Sequence, residues 1–387
     1  MEPSTTNAQK IRLLCVGRDL AGGGAERVQL TLLERLDRSK FDIKLFYLQD
    51  RGRLRLLIPQ DLTPEFGVGE RKSIKSSLLS VVSRLVSLAK GSDLVFAMLQ
   101  GAPTYVAILV GRAVHKPVVC WMHSLWSKDL ELELSGWHRW ASRLIYPLAD
   151  RYIAVSQGAA RDLRTFLPVL KDRVTCVDNF LSLDEITRLA EEPLPDWAAD
   201  LFARKVILGA GQLIPRKGFD TLIAAVARLV ALGYDLRLVI IGEGPERPRL
   251  IELASELGIA ERVLLPGFMT NPYPLFRHAD VFVLSSTYEG FGMVVVEALA
   301  LGTCVVATDC PSGPREVLDG GRFGLLVEPG DVGELGAAIA RVLEDPATRA
   351  HMQAQGRIRA RAYDARAGVP AVGQLLLSVQ AGRPTGQ

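Results

Sequence analysis

Residues 281–297 read Val-Phe-Val-Leu-Ser-Ser-Thr-Tyr-Glu-Gly-Phe-Gly-Met-Val-Val-Val-Glu. The short apolar run Val281–Leu284 predicts a buried strand, and the apolar segment Met293–Leu301 predicts a helix. Gly290 and Gly292 lie in the turn between them, where a missing side chain lets backbone amides approach an anion. This order of strand, glycine turn and helix indicates one unit of a parallel α/β sheet.

The same order recurs along the whole chain. Strands are predicted at 11–16, 43–48, 94–98, 118–122, 152–155 and 174–177, and then at 206–210, 236–241, 263–265, 281–284, 304–307 and 324–327. Such alternation predicts two Rossmann-like α/β domains, each with a parallel sheet covered by helices. Parallel sheets bind ligands at the carboxyl ends of their strands, so two sheets facing each other are expected to hold a ligand in the cleft between them.

The predicted domains are 1–181 and 201–365, since 387 residues suit two domains of ordinary size. Residues 182–200 carry six acids and two prolines without a strand pattern, which favours a linker. Residues 366–387 are expected to form a helix that returns to the first domain, followed by a tail.

Composition excludes several classes of protein. With 46 Lys and Arg against 43 Asp and Glu, the net charge of +3 is too small to indicate nucleic acid binding. Five scattered cysteines, an odd number, favour a reduced cytosolic protein over a disulfide frame or a zinc site. The polar start, residues 1–10, does not resemble a signal peptide, and no apolar run is long enough to span a bilayer.

Two acids flank the glycine turn of the opening stretch. Glu297 lies one turn into the helix, where it can accept hydrogen bonds from two vicinal ribose hydroxyls. Glu289, at the strand end, is placed to meet a sugar beyond a diphosphate. For an isolated loop, a tight turn flanked by two solvated glutamates would be the usual interpretation.

A second loop converges on the same ligand. It reads Gly-Ala-Gly-Gln-Leu-Ile-Pro-Arg-Lys-Gly over residues 209–218 and joins a strand to the predicted helix Phe219–Val230. Arg216 and Lys217 offer fixed positive charge where a nucleotide diphosphate leaving group becomes negative. The alternative is a surface loop with two ordinary basic residues.

The first half carries weaker signals. The turn Gly22–Glu26 begins a helix after the first strand but lacks Gly-x-Gly-x-x-Gly spacing, so a ligand contact and a plain tight turn fit equally. His123 lies between Trp121 and Trp126, as a packed core histidine would. Its place directly after the strand 118–122 favours a functional role.

Two charged segments remain ambiguous. Asp129, Glu131 and Glu133 alternate at strand period, and carboxylates suit magnesium or manganese. However, the chain has no Asp-x-Asp, so we predict no metal and interpret them as an acidic acceptor loop or a solvated face.

Residues 71–90 form a basic amphipathic pattern with five cations and no acid. A helix covering the first sheet is the preferred interpretation, and peripheral contact with an anionic membrane is the alternative.

Together these motifs resemble the family-4 retaining glycosyltransferases, which have the GT-B fold. The resemblance covers nearly the whole chain and is densest from Val206 to Asp331. It rests on the order and spacing of several motifs: Gly22-Gly-Gly-Ala-Glu-Arg27, His123, Val155-Ser-Gln-Gly158, Asn179, Lys217-Gly-Phe-Asp220, the Glu289 and Glu297 pair, and Thr308-Asp-Cys-Pro-Ser-Gly-Pro-Arg-Glu316.

The resemblance implies a role for each matched position. Lys217 would hold the donor diphosphate, Glu297 the ribose and Glu289 the donor sugar, with His123 beside the reacting sugar on the acceptor side. Further donor contacts are implied for backbone at Gly23, Gly24, Phe291, Gly292 and Met293. The family usually has Gly-Arg where this chain has Gly-Gln at Gln212, so Arg216 is the candidate for the missing cation.

The expected function is therefore retaining, metal-independent transfer from a nucleotide sugar to a glycan or lipid-linked acceptor, with no cofactor. A UDP-linked hexose or N-acetylhexosamine is preferred as the donor, and a GDP-sugar is left open. The resemblance implies bacterial surface-glycan assembly, in the cytoplasm or at the inner face of the plasma membrane. The alternatives are a nicotinamide-dependent oxidoreductase, disfavoured by the missing glycine fingerprint, and a non-catalytic scaffold, which need not keep Lys217, Glu289 and Glu297 together.

Overall fold

The computed structural model describes residues 10–70, 77–198 and 200–382. The chain divides into two compact units, each built around one parallel sheet. The second unit is Asn179–Ala365, and the first contains the chain up to Asp178 together with the chain from Arg366 onward.

The described part of the first unit contains seven strands, all parallel. They are β1 (Ile11–Gly17), β2 (Phe41–Gln49), β3 (Pro64–Val68), β4 (Leu94–Ala97), β5 (Val118–Met122), β6 (Arg151–Ala154) and β7 (Val174–Cys176). Their order in the sheet is β3-β2-β1-β4-β5-β6-β7. The order reverses between β1 and β4, and such a reversal opens a ligand-binding crevice at the carboxyl ends of the strands.

The second unit repeats this topology over the residues described there. Its strands are β8 (Lys205–Ala210), β9 (Leu236–Ile241), β10 (Val263–Gly267), β11 (Val281–Leu284), β12 (Cys304–Thr308) and β13 (Leu325–Val327). The order is β10-β9-β8-β11-β12-β13, which reverses between β8 and β11. The loops after these two strands are the two that the sequence singled out.

Helices connect the strands and cover both sheets. In chain order they are α1 (Gly24–Arg35), α2 (Leu78–Lys90), α3 (Ala102–Ala113), α4 (Trp126–Leu132), α5 (Trp137–Ile145), α6 (Gln157–Phe166), α7 (Leu183–Leu189), α8 (Phe219–Ala231), α9 (Arg247–Glu256), α10 (Tyr273–His278), α11 (Met293–Leu301), α12 (Pro314–Val317), α13 (Val332–Glu344), α14 (Pro346–Ala360) and α15 (Ala365–Ala381). Within the described ranges, none is long and apolar enough to cross a membrane.

Three segments have local structure that the sequence patterns did not indicate. The strand β3 was missed, because Pro64, Glu65 and Gly67 interrupt any apolar run and it pairs only with β2 at the sheet edge. The acids Asp129, Glu131 and Glu133, interpreted as an acidic acceptor loop or a solvated face, belong to the helix α4 and its C-cap. Residues 182–200 contain α7, whose Ile186 is buried against the second unit, so part of the expected linker is packed structure.

The basic segment 71–90 is only partly described. Residues 71–76, with Ile74 of the predicted apolar face, lie outside the described residues. In α2, Val81 and Leu85 are buried, and the helix packs against β3 and α3. Leu79, by contrast, is 89% exposed. The packing of α2 fits the interpretation as a helix that covers the first sheet.

Candidate functional site

The loops after β8 and β11 meet through backbone contacts. Gly218 has φ +60°, and a Cβ at this position would lie 2.1 Å from the carbonyl oxygen of Ser285. The Ser285 hydroxyl donates a hydrogen bond to the carbonyl of Lys217 at 2.9 Å. Only glycine fits both the left-handed conformation and this close approach. The contact therefore fixes Lys217 beside the end of β11.

Lys217 and Glu289 form a buried ion pair. The Lys217 Nζ lies 2.5 Å from the Glu289 Oε1, and the two side chains are 13% and 7% exposed. Residues 72 positions apart in the chain thus form one contact at the switch point of the sheet. Sequence reasoning assigned both residues to the site but did not foresee that they pair.

Glu289 stays ionised in this setting. Burial raises its pKa, but the charges of Lys217 and Arg216 and the hydrogen bonds from Lys217 and Ser286 outweigh burial, and the net pKa lies below the ordinary 4.5. The Ser286 hydroxyl donates to Glu289 Oε1 at 2.7 Å. Arg216 lies over the ring of Tyr288, with its Cζ 5.3 Å from the centroid. The site therefore holds two cations and one fixed carboxylate.

The glycine turn before α11 has the form expected of an anion-binding turn. Gly292 has φ +83° and caps α11, whose first residue is Met293. The backbone of Gly313 packs closely against the backbone of the buried Phe291. A Cβ at Gly313 would lie 2.4 Å from the Phe291 carbonyl oxygen. The free amides at the start of this helix, with its positive dipole end, suit a phosphate group.

Glu297 is a buried carboxylate, only 6% exposed. It lies on α11, which is apolar on all sides apart from this acid and packs against α14 and α7. The hydroxyl of Tyr273, itself buried at the start of α10, donates to Glu297 Oε1 at 3.4 Å. Sequence reasoning did not single out Tyr273, because its contact depends on how α10 packs beside α11.

Gln212 differs from the other predicted donor residues. Its side chain is exposed on the loop after β8, while the adjacent Leu213 is fully buried and its amide donates to the carbonyl of Glu243 at 2.9 Å. The backbone of this loop is therefore anchored. The structure leaves open to solvent the position where the family usually has an arginine.

In the first unit, His123 lies directly after β5. Its backbone amide donates to the Gln100 Oε1 at 2.8 Å, and its ring lies 4.6 Å from that of Trp121. Neither ring nitrogen meets a hydrogen-bond partner among the described residues. Burial lowers the pKa of His123 to about 3, against a smaller opposing effect of the Met98 carbonyl. The imidazole is therefore neutral at physiological pH.

In the first unit, the side chain of Glu26 lies against the glycine turn at the start of α1. Gly23 caps α1, which begins at Gly24, and a Cβ at Gly23 would lie 2.5 Å from Glu26 Oε2. Burial raises the pKa of Glu26, and the nearby charge of Asp19 adds to this effect. The Glu26 carboxylate thus lies directly against Gly23.

The predicted acids of α4 do not gather into a site. Asp129 is buried and accepts hydrogen bonds from Ser124 and Gln100, whereas Glu131 pairs with Lys128 at the surface. Within residues 10–70, 77–198 and 200–382, no group of three His, Cys, Asp or Glu side chains is placed to hold a metal ion.

Comparison with known families matches both halves of the chain. The model for group 1 glycosyl transferases matches residues 202–359, and the model for glycosyltransferase family 4 matches residues 22–185. An N-acetylgalactosamine-N,N'-diacetylbacillosaminyl-diphospho-undecaprenol 4-alpha-N-acetylgalactosaminyltransferase of Campylobacter jejuni is 30% identical over 359 residues, covering 89% of this chain and 93% of its own. The lipopolysaccharide core biosynthesis glycosyltransferase LpsE of Rhizobium meliloti is 34% identical over 186 residues, covering 48% of this chain and 52% of its own.

Solved structures share the fold. The Anabaena protein HepE, crystallised with UDP and glucose, superimposes with a TM-score of 0.80 at 22% identity, covering 95% of this chain and all of its own. The lipopolysaccharide glycosyltransferase WaaG gives a TM-score of 0.73 at 16% identity, covering 95% of this chain and 99% of its own. Two parallel-sheet units, the ordered motifs and a full-length relative lead to one assignment: the chain belongs to the family-4 glycosyltransferases of the GT-B fold, enzymes of glycan biosynthesis.

Proposed function

We propose that the protein transfers a sugar, with retention at the anomeric carbon, from a UDP-sugar to a glycan or lipid-linked acceptor without a metal ion. The observation that carries this proposal is the cluster at the β8–β11 switch point, where Lys217, Arg216 and the start of α11 offer positive charge around the carboxylate of Glu289. A diphosphate leaving group is the ligand whose charge this cluster complements.

Each residue of this cluster has a proposed task. Lys217, Arg216 and the amides of Phe291, Gly292 and Met293 stabilise the departing diphosphate, while Glu297 binds the ribose. Glu289 binds the donor sugar and, before the donor arrives, holds Lys217 in place. Once the diphosphate is bound, its oxygens compete with Glu289 for the Lys217 ammonium. The acceptor hydroxyl then attacks from the face that the diphosphate leaves.

In the first unit, His123 is proposed for the acceptor side, and Gly23 and Gly24 are proposed for the donor. A neutral His123 can donate one hydrogen bond and accept another, which suits a sugar hydroxyl. Gly23 and Gly24 provide backbone amides for the phosphates at the start of α1. Gln212 is assigned to the donor as a neutral contact in place of the family arginine, while Arg216 supplies the charge.

The donor and acceptor classes are carried over from relatives. HepE was crystallised with UDP and glucose, and the Campylobacter relative is named for transfer of N-acetylgalactosamine to a diphospho-undecaprenol-linked sugar. We therefore propose a UDP-hexose or UDP-N-acetylhexosamine donor and a lipid-linked acceptor at the inner face of the plasma membrane. Residues 71–90 are proposed to contribute a peripheral contact there, supported by the exposed Leu78 and Leu79 at the start of α2.

A donor screen tests this function. The purified protein is incubated with UDP- and GDP-sugars without acceptor, and release of the nucleoside diphosphate is measured. We expect slow hydrolysis of one UDP-sugar, and nuclear magnetic resonance of the first sugar product should show the donor's anomeric configuration. Inverted configuration would overturn retention, and hydrolysis of GDP-sugars alone would overturn the donor class.

A further inference from the structure

The buried ring of Tyr363 lies against the glycine turn that precedes α11. Tyr363 is 4% exposed, and Phe291, which lies between the two glycines of that turn, is 3% exposed. The two rings meet edge to face, with their centroids 5.3 Å apart and their planes at 83°. An aromatic pair in this geometry is attractive beyond the area that it buries. Since glycine restrains its own backbone little, the position of the Phe291 ring helps to decide where the neighbouring amides point.

Arg359, at the end of α14, holds the Tyr363 side chain in place. Its Nη2 donates a hydrogen bond to the Tyr363 hydroxyl at 2.6 Å, and its Cζ lies 5.0 Å from the centroid of the Tyr363 ring. The same guanidinium donates to the carbonyls of Glu316 and Val317, at 2.7 Å and 2.8 Å. Because Val317 is the last residue of α12, Arg359 also binds the carbonyl end of this short helix.

The residues just before α12 restrain the same glycine turn. The Ser312 hydroxyl donates to the carbonyl of Gly290 at 3.2 Å, and the backbone of Gly313 packs against that of Phe291. Arg359 therefore supports the turn along two routes. One runs through the Tyr363 ring to the Phe291 ring, and the other runs through α12 to the backbone of the turn.

We propose that Tyr363 and Arg359 are positioning residues for the donor diphosphate, since they hold the Phe291 turn with its amides directed to the leaving group. This inference rests on the proposed function, in which those amides bind the diphosphate. A displacement of about 1 Å in a positioned group can cost about a hundredfold in rate. A turn without this support should therefore bind the diphosphate more weakly and lower kcat, while the ribose contact of Glu297 is kept.

Two ligands separate these contributions. Calorimetry measures UDP binding, and ligand-observed nuclear magnetic resonance measures binding of uridine, which has the ribose but no phosphate. Tyr363→Leu removes the ring that contacts Phe291. We expect it to weaken UDP binding at least about fivefold, while uridine binding stays within about twofold of the wild type. Tyr363→Phe keeps the ring and should restore most of the UDP affinity.

Arg359→Gln should show the same pattern, because Tyr363 and α12 both lose their support. Arg357→Gln is the matched control on the same helix. The Arg357 guanidinium also donates to the last carbonyl of a helix, that of Leu301 in α11, at 3.4 Å, but at the end of α11 away from the turn. This variant should bind both ligands as the wild type does.

The proposal is overturned if Tyr363→Leu binds UDP as tightly as the wild type, or if it loses affinity for uridine and UDP in the same proportion. Where Tyr363→Leu does not fold, the same two results in Arg359→Gln decide against it. A wild type that binds UDP no more tightly than uridine would show that the diphosphate assignment itself is wrong, and the positioning role would fail with it.

Discussion

At the scale of single residues, the central feature is a lysine that is paired before any ligand arrives. The Lys217 ammonium lies 2.5 Å from Glu289 in a site where both side chains are largely buried. Removing one partner of such a pair leaves an uncompensated charge, whereas replacing both by neutral groups is far less costly. Stability and catalysis can therefore be separated by choosing which partners are replaced.

The variant Lys217→Met should lose both activity and stability. We expect kcat to fall by two or more orders of magnitude, because the charge facing the leaving group is gone. The free energy of unfolding should fall by about 3 kcal/mol, because Glu289 stays buried without its partner. The double variant Lys217→Met/Glu289→Gln is the control, and it should regain most of the stability but none of the activity. Near wild-type kcat in the single variant would show that Lys217 does not serve the leaving group.

His123 makes a prediction about pH. Its pKa is lowered from the ordinary 6.5 to about 3, so the unfolded chain binds a proton at pH values where the folded protein does not. The stability due to this group is complete above pH 6.5 and is lost as the pH falls towards 3. Compared with His123→Gln, the wild type should lose about 1–2 kcal/mol more stability between about pH 7.5 and about pH 5, as measured by urea unfolding. Equal losses would mean that the His123 ring has the same pKa in the folded and unfolded states.

At the scale of secondary-structure elements, the sequence predicted all six strands of the second unit, because each is a continuous apolar run. It missed the edge strand β3, whose proline and glycine interrupt the apolar pattern, and it did not predict the helix α4, since three alternating charges do not decide between a helix and a strand. The Lys217–Glu289 pair could not be predicted from the sequence either. It depends on β8 and β11 being neighbours in the sheet although two strands separate them in the chain.

The close approach of the two loops gives a prediction at this scale. A methyl group at Gly218 would meet the Ser285 carbonyl at 2.1 Å, so Gly218→Ala must displace the loop that carries Lys217. We expect a loss of about 2 kcal/mol in stability and of most activity. Gly258→Ala is the matched control, since Gly258 also has a left-handed φ of +70° but meets nothing within 4 Å. If the two variants behaved alike, backbone strain alone would explain the effect, and the loop contact would have no role.

At the scale of the whole molecule, two units have sheets whose strand order reverses in the same way, and the proposal assigns the donor to the second unit and His123 of the first unit to the acceptor. The relatives that span the chain are glycosyltransferases, so the oxidoreductase alternative has no support. The family and its fold followed from the order of the motifs, since each falls at a strand end that the apolar pattern locates. The identity of the sugar does not follow, because it depends on side-chain contacts around the ligand that no short motif records.

Activity is expected to survive chelation. In the proposed mechanism, Lys217, Arg216 and the start of α11 supply the positive charge for the diphosphate that a metal ion would otherwise supply. Turnover of the donor found by the screen should stay within about twofold when EDTA is added. A complete loss that manganese restores would contradict this account of the leaving-group site.

The most direct test of the donor site is calorimetry with UDP alone. Glu297 is assigned to the ribose, so Glu297→Gln should weaken UDP binding by about tenfold or more, since hydrogen bonds to a charged group are lost. Glu289 is assigned to the sugar and competes with the diphosphate for Lys217, so Glu289→Gln should bind UDP at least as tightly as the wild type while its kcat falls. If both variants lost UDP affinity equally, or if neither did, the placement of the nucleotide at the β8–β11 edge would be contradicted.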